Sequence, residues 1–472
     1  MKYSQRFVAI SAAITAIPAS AVPPLAVGTA LEASKQPVAI EIEQTRPFDL
    51  PPGYKQVKII DRDTLTAQGL PATFGNWDMV AFSAPENAPQ GAYPNAGRAI
   101  FIPAEVGNGA GLFRYEVETG RFVTLMQGIG GGNAARNPDP ASFDPLNDEF
   151  TRLDPATYTP FGTVVTGEET TGGRLFEITR PFAADAAGAG VRWLDKVPAI
   201  AHEGVRFDAA GALYVVDENN SGSVYKYVPL TPGDLGVGQT FVLAVDAFDG
   251  NPAENWDSAV NATARRSGAA TWVPLTDAVG NALTVVDPFI YADAGLGVVP
   301  TGTAGRAAAD EINATPYGRP EDVVIAMRGG VEVLYFTATS EDAVYAVALN
   351  GDTAEVKVFV DRSTIDVATG EAVGTPFNNP DNLAIDADGH IYVIEDQEPA
   401  SADVWQAIDD DGDLVADRIG RWLTHGVPGA EPTGLSFDPN VPNRAIISIQ
   451  HPASGNDALW QVTLGQRKGQ LK

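Results

Sequence analysis

Six segments of this chain share one pattern. A short alternating apolar strand runs into acids or other polar residues, a loop follows, and a second strand closes on apolar and aromatic side chains. The copies begin at Ala99 (AIFIPAEVGNG), Gly162 (GTVVTGEETTG), Ala212 (ALYVVDENNSG), Val333 (VLYFTATSEDA), His390 (HIYVIEDQEPA) and Ala445 (AIISIQHPASG). Self-similarity of this kind marks stacked or radial repeats. A radial repeat delivers the same strand end of every copy to one axis, so the pattern constrains both the fold and the place where polar groups converge. A four-stranded propeller blade takes about 40–50 residues. Six copies predict an all-β fold, a six-bladed β-propeller over residues 92–472, with a long insertion at about 230–318.

Length alone would suggest about three domains of ~150 residues, but a closed array can use a whole chain. The 48 Gly and 35 Pro, with few amphipathic helical stretches, agree with strands and turns. Residues 22–91 read as an N-terminal arm and the start of the fold. Before them, Lys2 and Arg6 precede an apolar run over residues 7–17, and Ala19-Ser20-Ala21 offers a cleavage site. Residues 1–21 therefore read as a Sec-type signal peptide, and a periplasmic or secreted protein is expected. The chain has no Cys, which excludes disulfides and thiolate chemistry. With 60 Asp+Glu against 31 Lys+Arg the net charge is −29. Such a surface repels nucleic acid and anionic membranes and favours cations. No later segment is apolar enough to insert in a membrane, and a monomer is expected.

Hairpins precede four of the copies, and the first strand of each opens with an acid: Glu203, Glu321, Asp381 and Glu431. Glu431 falls two residues early, which keeps it on the same strand face. Carboxylates facing one channel cannot all ionise without cations between them. Hard oxygen ligands at this density suit Ca²⁺, and more than one ion is expected. Asn382 and Asn219 add neutral oxygens. The strand-end acids Glu105, Glu168, Glu169, Asp217, Glu218, Glu395 and Asp396 are further candidates or plain loop charge. The expected metal ligands are Glu105, Glu168, Glu169, Glu203, Glu218, Glu321, Asp381, Asn382, Asp396 and Glu431. A separate run, Asp409, Asp411, Asp413 and Asp417 around Gly412, is a candidate structural calcium loop or a solvated acidic turn.

Arg319 stands two residues before Glu321, and Arg174 follows Glu168-Glu169; arginine suits phosphate or carboxylate. For Arg174 a salt bridge to neighbouring acids is the competing role. His202 and His451 read as ligands, acid/base groups or structural residues. Arg319, Glu321 and Glu169 are the candidate catalytic residues. No nucleophile elbow, H-E-x-x-H or P-loop occurs.

The runs Thr159-Pro160-Phe161-Gly162-Thr163 leading to Glu168-Glu169, His202-Glu203, Arg319-Pro320-Glu321-Asp322, Asn379-Pro380-Asp381-Asn382, Glu431-Pro432-Thr433-Gly434 and Gln450-His451-Pro452 together resemble the PhoX-type alkaline phosphatases. The resemblance implies a six-bladed propeller, export, hydrolysis of small phosphomonoesters, and a central cluster of calcium with two ferric ions. It also implies that Glu168, Glu169, Glu203 and Glu321 ligate metal and that Arg319 contacts phosphate. In the family a Cys that ligates iron precedes the glutamate pair; here the run is Thr166-Gly167-Glu168-Glu169, and Gly167 has no ligand atom. Calcium is thus expected and Fe³⁺ is left without its thiolate. Two other readings stay open: a lactonase-like calcium hydrolase, and a non-catalytic calcium-binding propeller that has lost the iron site.

Overall fold

The computed structural model describes residues 43–464, apart from 87, 247, 249–254, 263, 291–303, 397–401 and 428. The expected signal peptide lies outside the described residues. Antiparallel meanders follow one another along the chain. The first sheet is Ala81–Phe82, Ala99–Pro103, Gly111–Glu116 and Arg121–Gln127; the second is Thr157–Tyr158, Val164–Gly167, Leu175–Ile178 and Val191–Trp193. Next come two four-stranded meanders in a single nine-stranded sheet. One runs His202–Phe207, Leu213–Asp217, Val224–Thr231 and Asp234–Val245; the other runs Pro320–Arg328, Val331–Ala338, Ala343–Asn350 and Thr353–Asp361. The strand Gly268–Pro274 pairs with Asp234–Val245 on one side and Thr353–Asp361 on the other, which fuses them.

A further sheet holds Pro380–Ile385, Ile391–Glu395, Ala402–Ile408 and Arg418–His425, with Phe48–Asp49 and Ile365–Asp366 against its outer strand. In the last, Glu431–Phe437, Arg444–Gln450 and Ala458–Leu464 are completed by Tyr54–Asp61 from the N-terminal side. That pairing ties the two ends of the described chain together.

The first strands touch in sequence: His202–Phe207 against Pro320–Arg328, then Pro380–Ile385, Glu431–Phe437, Ala81–Phe82 and Thr157–Tyr158. The partner of Thr157–Tyr158, the strand Val164–Gly167, touches His202–Phe207 and returns the circuit to its start. The arrangement is all-β and propeller-like. It departs from six separate blades because Gly268–Pro274 satisfies the outer edges of two neighbouring meanders at once, an efficient way to cover exposed strand edges. The expected insertion from 230 begins later, since Asp234–Val245 completes a meander. Its described part supplies the bridging strand and the helix Ala304–Glu311. The expected N-terminal arm likewise contributes Tyr54–Asp61 and Ala81–Phe82 to two sheets. Apolar side chains alternate inward from facing sheets, as where Phe101, Tyr158 and Phe176 meet or where Tyr335, Phe359 and Trp405 meet. Each such buried side chain stabilises the fold by about 1.5–3 kcal/mol. No helix among the described residues is long and apolar enough to cross a membrane.

Candidate metal centre

Four of the first strands carry the same irregularity. Pairing slips by one residue between His202 and Val205, Pro320 and Val323, Pro380 and Leu383, and Thr433 and Ser436. A bulge of this kind leaves the extra residue unpaired and re-aims side chains. In three strands the bulge releases an acid toward the axis: Glu203, Glu321 and Asp381. The next residue then meets the neighbouring strand. Asp322 accepts the Leu383 N–H at 2.9 Å, and Asn382 accepts the Gly434 N–H at 3.0 Å. At Gly204 there is no room for any side chain, because a Cβ there would stand 2.6 Å from Val323 N. In the fourth strand Gly434 and Leu435 occupy the bulge, and the acid Glu431 comes before it, two residues ahead of the paired Thr433.

The acids meet at the axis. Glu203, Glu218 and Glu321 bring oxygens within 4.8 Å of one another, and so do Asp381, Asp396 and Glu431. Asp381 faces both Glu321 and Glu431, and its charge adds to burial in raising both carboxyls, so it links the two groups. Two residues missed in the sequence complete the ring: Asp78, just before Ala81–Phe82, and Asp154, just before Thr157–Tyr158. Both are buried, and they face Glu105, Glu218 and Asp381. Their signal was present in Trp77-Asp78-Met79-Val80 and Leu153-Asp154-Pro155-Ala156. Each is an acid ahead of a strand of only two residues, too short to show an alternating pattern.

Burial, followed by repulsion from neighbouring carboxylates, raises Asp78, Asp154, Glu169, Glu203, Glu321 and Glu431 well above the usual carboxyl range. Glu321 is 1% exposed, and neither of its oxygens has a hydrogen bond; Arg319 Nη2 lies 2.6 Å from Oε1 but off the N–H direction. One oxygen of Asp154 is likewise unpartnered. Buried orphan oxygens on converging carboxylates are what a hard divalent cation requires, so the residues present fit calcium.

Around this ring, Arg319 binds Glu218 through Nε at 3.0 Å and Nη2 at 2.8 Å. Its backbone is left-handed (φ 51°), and Asn379, its counterpart before Asp381, is also left-handed (φ 43°). Non-glycine residues held this way tend to mark functional sites. Glu105 accepts from Gln450 Nε2 at 2.8 Å, and His451 Nε2 lies 3.7 Å away. Half-buried Glu169 faces Glu218, Asp154 and Glu105.

Other expected ligands are placed differently. Glu168 turns away from the axis and is fully buried. Arg136 Nη2 lies at 2.5 Å, Arg174 Nε at 3.0 Å and Arg174 Nη2 at 2.9 Å, and these guanidiniums hold its carboxyl down at about 2 against the effect of burial. Arg174 also binds Asp148 at 2.6 Å and packs against Phe150, Phe176 and Trp193, so it serves the interior. Asn382 offers its amide nitrogen to Asp381 (3.1 Å) and Glu203 (3.5 Å), while its carbonyl takes Thr433 and Gly434. The structure thus presents a donor to the acids where a ligand oxygen was expected. Asn219 binds Asp217 at 2.8 Å, and Glu395 takes the Trp405 indole N–H at 2.8 Å.

The Asp409 loop stands apart. Asp409, Asp411 and Asp417 come within 4.8 Å, Asp413 is outside the group, and all four accept backbone N–H groups of their own turn.

His202 is fully buried, and burial pushes its imidazole down to about 3. Its Cβ occupies the space beside Gly167: a Cβ at 167 would stand 2.6 Å from it and 2.9 Å from Leu175 Cδ1. A thiolate at 167 therefore has neither a side chain nor the room for one. The residues present do not fit thiolate-held iron.

The fold and the ring of carboxylates define a propeller-like protein with converging oxygen donors at its axis. The chain matches the family Alkaline phosphatase PhoX over residues 151–453 and belongs to it. Its structure is similar to that of Pseudomonas fluorescens PhoX in complex with vanadate, a transition state analogue. That similarity has 16% identity and a TM-score of 0.59, and covers 92% of this chain and 97% of that one. A gluconolactonase from Xanthomonas campestris is also similar, with 11% identity, a TM-score of 0.43, and coverage of 94% of this chain and 99% of that one. A search of the curated proteins finds no match.

Proposed function

We propose that this chain is an exported, calcium-dependent hydrolase of small phosphomonoesters, built as a six-bladed propeller whose nine-stranded sheet counts as two blades. The observation that carries it is the axial ring. Asp78, Asp154, Glu203, Glu321, Asp381 and Glu431 each come from the start of a different meander, one acid per blade. Glu203, Glu218 and Glu321 would hold one cation, and Asp381, Asp396 and Glu431 another. Bound cations would polarise phosphoryl oxygens and supply a more acidic water. Glu169, Glu105 and Asp154 close the remaining side. Arg319 is pinned by Glu218 and Glu321, and its free Nη1 edge is left to orient a phosphoryl group and stabilise its charge. Membership of the family and the vanadate complex of a fold relative support the reaction class. The N-terminal sequence supports export.

A second reading, a calcium-binding propeller without catalysis, is favoured by one observation: the closure of position 167 by His202. Metal analysis together with hydrolysis of 4-nitrophenyl phosphate in Ca²⁺, with and without iron, separates the two. Turnover with calcium alone supports the first. A folded, calcium-loaded protein inactive under every metal supports the second.

A further inference from the structure

We propose that Arg152 is a second anion-binding residue at the mouth of the metal centre, and that the preferred substrates carry another anionic group beside the scissile phosphate. This rests on the phosphatase reading above. Arg152 is held in the left-handed region (φ 43°), although it is not glycine. Its backbone is pinned on both sides by segments that deliver ring acids. Its N–H donates to Val106 O at 2.7 Å, next to Glu105, and its carbonyl accepts the Glu169 N–H at 2.8 Å. Asp154, two residues on, is in the ring. The neighbours Thr151 and Leu153 are buried, while Arg152 itself is exposed.

An arginine whose backbone adjoins the segments of Glu105, Asp154 and Glu169, in a chain of net charge −29, would be expected to pair with an acid. Arg152 makes no ion pair and no side-chain hydrogen bond among the described residues. Arg319 by contrast is committed to Glu218 and Glu321. Arg152 stands two residues before Asp154, as Arg319 stands two residues before Glu321, and both are left-handed, a conformation that costs about 1–3 kcal/mol. What this positioning provides is a free, planar, five-donor cation at the rim. A substrate with a single phosphate needs only the ring and Arg319. A second phosphate or carboxylate would otherwise lie against acids; Arg152 gives it a partner. Nucleoside diphosphates are one such class.

The test compares ADP with 4-nitrophenyl phosphate in Ca²⁺ for wild type, Arg152→Ala and Arg152→Lys. A charge-assisted hydrogen bond is worth roughly tenfold or more, so Arg152→Ala should lower kcat/KM for ADP at least about tenfold more than for 4-nitrophenyl phosphate, mainly through KM. Arg152→Lys should recover part of this, since a point charge lacks the fork. Equal losses on both substrates, or none, overturn the proposal. If wild type hydrolyses neither, the phosphatase reading fails by itself, and calorimetry of ADP in Ca²⁺ then decides. Binding that Arg152→Ala weakens by about tenfold supports the rim site. Equal affinity, or no binding by wild type, overturns it.

Discussion

The closure of position 167 can be tested by adding one methyl group. In Gly167→Ala the new Cβ would meet His202 Cβ at 2.6 Å, Leu175 Cδ1 at 2.9 Å and His202 Cγ at 3.2 Å. The Leu175 methyl can rotate away. His202 Cβ cannot, since it is one bond from a backbone whose N–H is tied to Glu168 O at 3.0 Å. The strand must therefore move. Overpacking of this kind costs about 1–3 kcal/mol, and the gain from replacing a strand glycine by alanine, about 0.5–1 kcal/mol, offsets only part. A net loss of about 1–2 kcal/mol is expected, a shift of a few degrees in Tm for a chain of this length. His202→Gly removes the opposing Cβ, so the double variant should be more stable than the sum of the single losses predicts, with a coupling of about 1–2 kcal/mol. Calorimetric unfolding of the four proteins measures it. Additivity within about 0.5 kcal/mol refutes the steric pair. The same logic extends to Gly167→Cys, which should gain no iron by metal analysis unless residue 202 is also reduced to glycine. Stoichiometric iron in the single variant, with wild-type stability, would refute it too.

Three further outcomes are expected. Calcium should stabilise the fold: at 100 times its dissociation constant each site adds about 2.7 kcal/mol, so two sites should raise Tm by many degrees above the value in EGTA, and no shift would count against the centre. In EGTA, stability should fall as pH rises from about 4. The raised carboxyls Asp78, Asp154, Glu169, Glu203, Glu321 and Glu431 keep protons in the folded state that the unfolded chain releases above its own values of 3.8 and 4.5. Their contribution is therefore full below those values and lost above them; denaturant titrations across pH 4–8, with and without Ca²⁺, should show the slope only in the chelator. Glu168→Gln should cost about 3–5 kcal/mol, because it leaves Arg136 and Arg174 buried with one carboxylate fewer. Chemical unfolding checks this, and a near-neutral change would return Glu168 to the list of candidate ligands.

What the sequence made legible was the strand that begins with an acid; what it hid was the direction in which that acid points. Glu203, Glu321 and Asp381 were readable because each opens a strand ahead of a hairpin, and all three end on the axis. The bulges that put them there leave no compositional trace, since one extra residue in a strand changes pairing and not pattern. Glu168 and Glu169 show the same limit from the other side. Adjacent side chains on a strand leave by opposite faces, so only one of a glutamate pair could reach the axis, and which one depended on Arg136, more than thirty positions upstream, reaching Glu168 in the fold. Asp78 and Asp154 escaped notice because the two short first strands that follow them carry little pattern.

The repeats are therefore not six equal copies. Each meander contributes an acid to the axis, but the second strand ends differ: Glu105, Glu169, Glu218 and Asp396 continue the ring, while Thr339 and Gln450 stand at the corresponding ends of the other two. Charge at the axis is consequently lopsided. Among the described residues the one guanidinium that binds ring acids, Arg319, immediately precedes the meander whose second strand leads into Thr339, one of the two without an acid there. A phosphoryl group drawn to that gap would meet Arg319 and the least carboxylate repulsion in the ring.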